Sequence, residues 1–243
     1  MRAFLAAVRF LTVLPLPAGG PDAARDLGRS ARFFPAIGIL AGLAMAGLDA
    51  LLGTLVSPWP GSVLVVLAMA GISGGLHLDG LADTADGFLS SRPRERVLEI
   101  MRDSRIGSMG VLAIVGVLLL KTAALATVPA GRRWATLLLM PLAGRTALVL
   151  ELNLLPYARP AGLGTTFQTY KTPWDALVAI GLLAGIGYAT VGQRGLLAAA
   201  GTVLVTVLVS VWCRRRIGGF TGDTLGAACE ISEAVPALIA GVP

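Results

Sequence analysis

Apolar residues in this chain gather into long runs separated by short polar stretches, the pattern of membrane spans rather than of a large soluble core. Five runs read as spanning helices: 36–56, 62–78, 108–128, 134–155 and 195–213. The run 176–191 is shorter and Gly-rich and makes a sixth. Each approaches the roughly 20 apolar residues that cross about 30 Å of hydrocarbon. The run 225–242 is apolar but carries Glu230, Glu233 and Pro236, so a seventh crossing stays open. Near the N-terminus, residues 4–11 hold Arg9 among apolar residues, and Pro15 and Pro17 follow without a small-residue cleavage site. That argues against a cleaved signal and for an interfacial helix or a short buried entry segment. The expected fold class is all-α: one polytopic integral membrane helix bundle over 1–243, with about six transmembrane helices, or seven with the last run.

Composition agrees. Hydrophobic residues make up 55% and charged residues 14%, against about a quarter charged in soluble domains. The net charge of +6 raises nucleic acid as a partner. However, the basic residues flank apolar runs, where topology and anionic membrane lipid account for them. Taking alternate segments between spans, fifteen Lys/Arg fall on the side of the N-terminus and three on the other. The positive-inside rule then places the N-terminus in the cytoplasm, with 79–107, 156–175 and 214–224 on that face. The chain is expected in the prokaryotic cytoplasmic (inner) membrane with its chemistry on the cytoplasmic side. Cys213 and Cys229 have neither metal-ligand spacing nor a disulfide framework and read as ordinary thiols.

The most informative stretch is GGLHLDGLADTADG, residues 74–87. Asp79, Asp83 and Asp86 stand at i, i+4 and i+7, within about 60° of one another on a helix face. Three like charges on one face repel and weaken a helix, and at the end of a span they also lose hydration. A divalent cation would offset both costs. Carboxylates without thiolate or imidazole partners suit hard ions, Mg²⁺ first and Mn²⁺ second. The alternative is an acidic, solvated helix end. His77, the sole histidine, lies about 200° from Asp79 on a continuous helix, so it is either a packed side chain or a substrate contact.

After Ser90-Ser91-Arg92-Pro93 a further helix should start, with Glu95 in its first turn. Beyond it, Asp103 between Arg102 and Arg105 offers one more metal ligand and two guanidiniums for phosphate oxygens, or only a juxtamembrane charge pair. The Gly-rich run 218–227, with Gly218, Gly219, Thr221 and Asp223, suits a helix start that presents N–H groups to phosphate. It lacks the GK[ST] of a Walker A loop. Lys121, Arg145 and Glu151 lie within spans and should find partners on other helices, and Asp49, mid-to-late in the first span, is either another such residue or an interface residue.

GGLHLDGLADTADG, RDSRIGSMGV, GGFTGDTLGA, the early FLTVLP and the loop Tyr157-Ala158-Arg159 with Gly162-Leu163-Gly164 together resemble the cobalamin synthase family, the adenosylcobinamide-GDP ribazoletransferases. The resemblance covers essentially the whole chain; Val13 stands where the family often has a basic residue. It implies a Mg²⁺-dependent membrane transferase joining adenosylcobinamide-GDP to α-ribazole, or its 5′-phosphate, with release of GMP. On that reading Asp79, Asp83, Asp86, Asp103 and Asp223 supply metal ligands. Asp86 takes the hydroxyl proton, Asp83 is counted among the catalytic residues, and Arg102 and Arg105 hold phosphate. His77, Arg159, Gly218, Gly219 and Thr221 contact substrate. A homo-oligomer, or association with other cobalamin-assembly enzymes, is a further expectation. Other readings are a CDP-alcohol phosphotransferase, whose DGxxAR pattern fails because Asp83 follows Ala82, a cation-coupled transporter, and a noncatalytic scaffold.

Overall fold

The computed structural model describes residues 1–17 and 19–242, which are helical with no strand among them. The elements run α1 (Arg2–Leu11), α2 (Ala23–Gly28), a 3-10 turn at Ser30–Phe33, α3 (Phe34–Leu52), α4 (Pro58–Ile72), α5 (Leu76–Phe88) and α6 (Arg94–Ile100). They continue with α7 (Ser108–Thr127), α8 (Ala130–Leu154), α9 (Leu163–Tyr170), α10 (Pro173–Val191), α11 (Gln193–Ile217) and α12 (Gly222–Gly241). Five helices are long and apolar enough to cross a membrane: α3 with its leading turn, α7, α8, α10 and α11. The apolar α4 brings the number to six when it is counted with α5. The chain is a multi-pass membrane helix bundle.

One expected span is corrected. The run 62–78 does not continue as a helix: α4 ends at Ile72, and α5 departs from it at 89°. Gly74 and Gly75 make the turn at φ +62° and +79°, a backbone region open to glycine at no steric cost. The turn carries the acidic residues out of line with the span, leaving α5 as a polar helix laid against α12 and α7. The N-terminal segment forms α1, with Ala6, Ala7 and Leu11 buried against the entrance to α3.

At the centre stands α8, buried from Ala135 to Leu152 and enclosed by α3, α10, α11 and α12. A helix apolar all round belongs inside a bundle, and α8 carries Arg145 into that interior. Arg145 is ion-paired with Glu233 of α12, while Lys121 Nζ of α7 lies 2.6 Å from both Glu230 Oε2 and Glu233 Oε2. Two cations and two carboxylates thus compensate one another where single charges would be costly. This fulfils the expectation of cross-helix partners for Lys121 and Arg145. Asp49 likewise pairs with Arg133 of α8 at 2.8 Å. Glu151 departs from the expectation. It is fully buried against Thr224 and Cys213, without a cationic partner among the described residues. α12 is not among the helices long and apolar enough to cross a membrane. Its two glutamates face the ion cluster, and it serves as an interior helix of the bundle.

Candidate active site

Two glycines bring α5 and α12 together. A Cβ on Gly80 would stand 2.7 Å from the Asp223 carbonyl oxygen, and one on Gly226 would stand 2.9 Å from the His77 carbonyl oxygen. Small residues of this kind let helix backbones touch, and here the contact sets the acidic face of α5 beside Asp223. Thr221 is the N-cap of α12: its hydroxyl accepts from Thr224 N–H at 3.3 Å and donates to Asp223 Oδ2 at 3.2 Å. Asp223 therefore occupies the first turn, where the helix dipole favours a carboxylate.

The loop after α8 is fastened to the α11–α12 turn by backbone pairing. Ala158 N–H donates to Phe220 O at 2.8 Å and Phe220 N–H to Pro156 O at 2.9 Å. Arg94, at the start of α6, clamps both strands of this pairing, donating to Ile217 O at 2.8 Å and Ala158 O at 2.9 Å. The sequence reading missed Arg94, because its partners lie 64 and 123 residues away. With the loops so held, Arg159 meets Asp223 Oδ2 at 2.8 Å.

These elements surround a cavity of about 340 Å³. His77, Asp79 and Gly80 line it from α5, Gly222 and Asp223 from α12, and Arg102 and Arg159 from the loops. His77 is buried, with its electrostatic neighbours Arg145, Glu233 and Lys121 in the ion cluster, so it turns away from the carboxylates as the spacing required. It still forms part of the cavity wall.

The five carboxylates expected as metal ligands have different surroundings. Asp79 and Asp83 make no hydrogen bond or ion pair among the described residues. Burial pushes the Asp83 carboxyl up to about 7, with the charges of Asp223, Asp79 and Asp86 adding to the shift. Burial also raises Asp223, against the pull of Arg159. Asp86 is engaged otherwise: its oxygens accept from Gly107 N–H at 2.7 Å and Gly110 N–H at 2.8 Å. It caps the N-terminus of α7 from outside that helix. Asp103 is bound to Arg105, Oδ2 to Nη2 at 2.6 Å, and these hydrogen bonds hold its carboxyl down at about 2. Asp103 and Arg105 line a separate shallow crevice with Asp86 instead of the cavity. Of the two arginines expected on phosphate, only Arg102 lines the cavity.

Gly218, Gly219 and Thr221, expected to contact substrate, do not line the cavity. Gly218 ends α11 at φ +79°, Gly219 lies against the Pro156 carbonyl, and Thr221 is buried in its capping role. The part of the turn that reaches the cavity is Phe220, Gly222 and Asp223.

The donor set left around the cavity fits a hard divalent cation in its chemistry. Asp79 and Asp223 line the cavity, and Asp83 lies one turn beyond Asp79 on α5, outside that lining. Asp79 and Asp83 have no ion-pair partner among the described residues, Asp223 is paired with Arg159, and repulsion among the three is one reason the Asp83 carboxyl is raised. Among the described residues, no three His, Cys, Asp or Glu side chains stand close enough to enclose an ion as they are. Binding would require them to draw together.

Residues 3–241 match the cobalamin-5-phosphate synthase family. Proteins named adenosylcobinamide-GDP ribazoletransferase are similar along nearly the whole chain. One from Roseiflexus sp. (strain RS-1) is 45% identical over 94% of this chain and 85% of its own. One from Geotalea daltonii is 38% identical over 96% of this chain and 94% of its own, and one from Brevibacillus brevis is 36% identical over 98% and 97%. The CDP-alcohol phosphotransferase, transporter and scaffold readings gain nothing from these matches. No solved structure matches. With the acidic α5 face, the Arg159 loop and the α12 turn all inside the matched residues, the chain belongs to the cobalamin-5-phosphate synthase family.

Proposed function

We propose that this chain is an adenosylcobinamide-GDP ribazoletransferase that works with Mg²⁺ at the cytoplasmic face of a prokaryotic inner membrane. The observation carrying this reading is the meeting of Asp79 of α5, Arg102, the Arg159 loop and Asp223 at the α12 N-terminus around one cavity. A ribose hydroxyl of α-ribazole, or of its 5′-phosphate, attacks the phosphorus nearer the corrinoid. The new P–O bond forms as the P–O bond to GMP breaks, and the hydroxyl proton passes to a carboxylate. Asp83 suits the role of proton acceptor, since it is free of partners and burial and neighbouring charge set its basicity near neutrality. Arg102 and Arg159 present guanidiniums to the diphosphate, where positioning and charge neutralisation carry most of the catalysis.

Asp79 and Asp223 would hold the cation, which when bound supplies charge neutralisation at the diphosphate, and Asp83 is left to take the proton. Asp86 acts from behind by fixing the end of α7 against α5. The cytoplasmic placement is supported by the excess of basic residues on the segments that build the site. The test is GMP release from adenosylcobinamide-GDP, with and without α-ribazole and Mg²⁺, using purified protein in detergent. Release that needs all three components supports the reading, whereas well-folded protein that releases no GMP with any divalent metal refutes it.

A further inference from the structure

The cavity has two chemically distinct ends. Every charged side chain in its lining comes from α5, the loop after α6, Arg159 or α12. Where α1, α3 and α9 meet, the wall is aromatic. Phe10 stacks on Phe34 at 5.9 Å, and Phe167 closes on both, at 5.4 Å from Phe10 and 5.9 Å from Phe34. Leu148 of α8 adds to the same lining. Phe34 and Phe167 are buried, so the wall is held by the bundle itself. None of these four residues has a side-chain hydrogen-bonding group.

Resting on the transferase reading above, we propose that this aromatic end seats the base of the incoming nucleoside. The base it takes is an uncharged bicyclic aromatic with an apolar edge, so the chamber decides which bases the chain accepts. The volume of about 340 Å³ suits a nucleoside; a corrin macrocycle must remain outside, at the mouth. Guanine of the leaving nucleotide is the other flat base in the reaction. Its edge carries two N–H donor groups and a carbonyl, which would go unpaired against phenylalanine and leucine, and unpaired buried polar groups discriminate strongly. A benzimidazole edge bearing methyl groups has no such demand, and aromatic pairing favours it. With the base at the aromatic end, its ribose points toward Asp79 and the arginines, where the hydroxyl must react. Guanine then lies beside Arg102 and Arg159.

The test uses the full chain in detergent, with Phe167→Leu and Phe10→Leu variants from two different elements. The KM for α-ribazole should rise about tenfold or more in each, while the KM for adenosylcobinamide-GDP moves less than twofold. A second measurement, independent of how the variants fold, is photolysis of an azidobenzimidazole riboside on wild-type protein followed by peptide mapping. Label should fall on peptides containing Phe10, Phe34 or Phe167. A rise in KM for the corrinoid nucleotide alone, unmoved KM for both substrates, or label confined elsewhere overturns the inference and leaves the reaction standing. Wild-type protein that turns over neither substrate but takes the label at these peptides refutes the transferase reading instead, and supports a base-binding chamber.

Discussion

Replacing Gly80 with alanine tests whether the α5–α12 contact sets the active geometry. The new methyl would meet three backbone atoms of Asp223: the carbonyl oxygen at 2.7 Å, Cα at 3.0 Å and the carbonyl carbon at 3.2 Å. Backbone cannot swing aside as a flexible side chain can. Restoring ordinary contact at about 3.4 Å needs the helices to part by about 0.7 Å at that point. Overpacking of this kind costs about 1–3 kcal/mol, and it widens the gap between Asp79 or Asp83 and Asp223. A misplacement near 1 Å can cost about 100-fold in rate, so kcat should fall about 10- to 100-fold. Gly116→Ala is the control. Nothing lies within 4 Å of its added Cβ, and alanine should stabilise α7 by about 0.5–1 kcal/mol. The assay is GMP release beside thermal unfolding in the same detergent. Gly80→Ala protein with wild-type kcat would refute the argument that close helix approach assembles the site. So would an equal loss of activity in Gly116→Ala.

Four further outcomes follow from the same structure. Asp86→Ala should cost about 1–2 kcal/mol, as lost caps do, with a smaller loss of kcat than Asp83→Asn; the reverse ranking in paired stability and rate measurements would return the base to Asp86. Because the folded pKa of Asp83 lies near 7 and above its ordinary value of 3.8, the folded state binds the extra proton between those limits. Metal-free protein in chelator should therefore lose stability as pH rises from about 5 to about 7 and level off above. An Asp83→Asn variant should show a flatter profile across that range, and identical profiles would count against the shift. Lys121→Met should destabilise by about 3–5 kcal/mol, because it leaves Glu230 unpaired beside Glu233. Adding Glu230→Gln should recover part of that loss in thermal unfolding, and no recovery would argue against charge balance as the cluster's role. Arg94→Ala removes the two hydrogen bonds to Ile217 O and Ala158 O, each worth about 1.5–3 kcal/mol when charged; KM should rise with helical content unchanged, and an unaltered KM would mean the loop pairing holds without it.

Sequence reasoning located what depends on local pattern. The apolar runs correspond to the long helices, and the i, i+4, i+7 carboxylates do share the single helix α5. What depends on distant partners was less legible. The break after Ile72 was hidden because Gly74 and Gly75 sit inside an apolar run, and only their positive φ turns the chain. Asp86 looked equivalent to Asp83 until α7 arrived, from more than 20 residues on, to place two N–H groups on it. Gly218, Gly219 and Thr221 read as a phosphate cradle, yet their needs are a left-handed helix end, a close backbone neighbour and a cap. The aromatic chamber was invisible for the same reason. Phe10, Phe34 and Phe167 belong to three elements, and no spacing in the chain links them.

The most direct test of the account is metal-dependent GMP release by wild-type and Asp83→Asn proteins supplied with adenosylcobinamide-GDP and α-ribazole. The account predicts GMP and a new cobalamin in equal amounts from the wild type, requiring Mg²⁺, with loss of at least about 100-fold in the variant. An Asp83→Asn protein as active as wild type would contradict the placement of the chemistry on the α5 carboxylates.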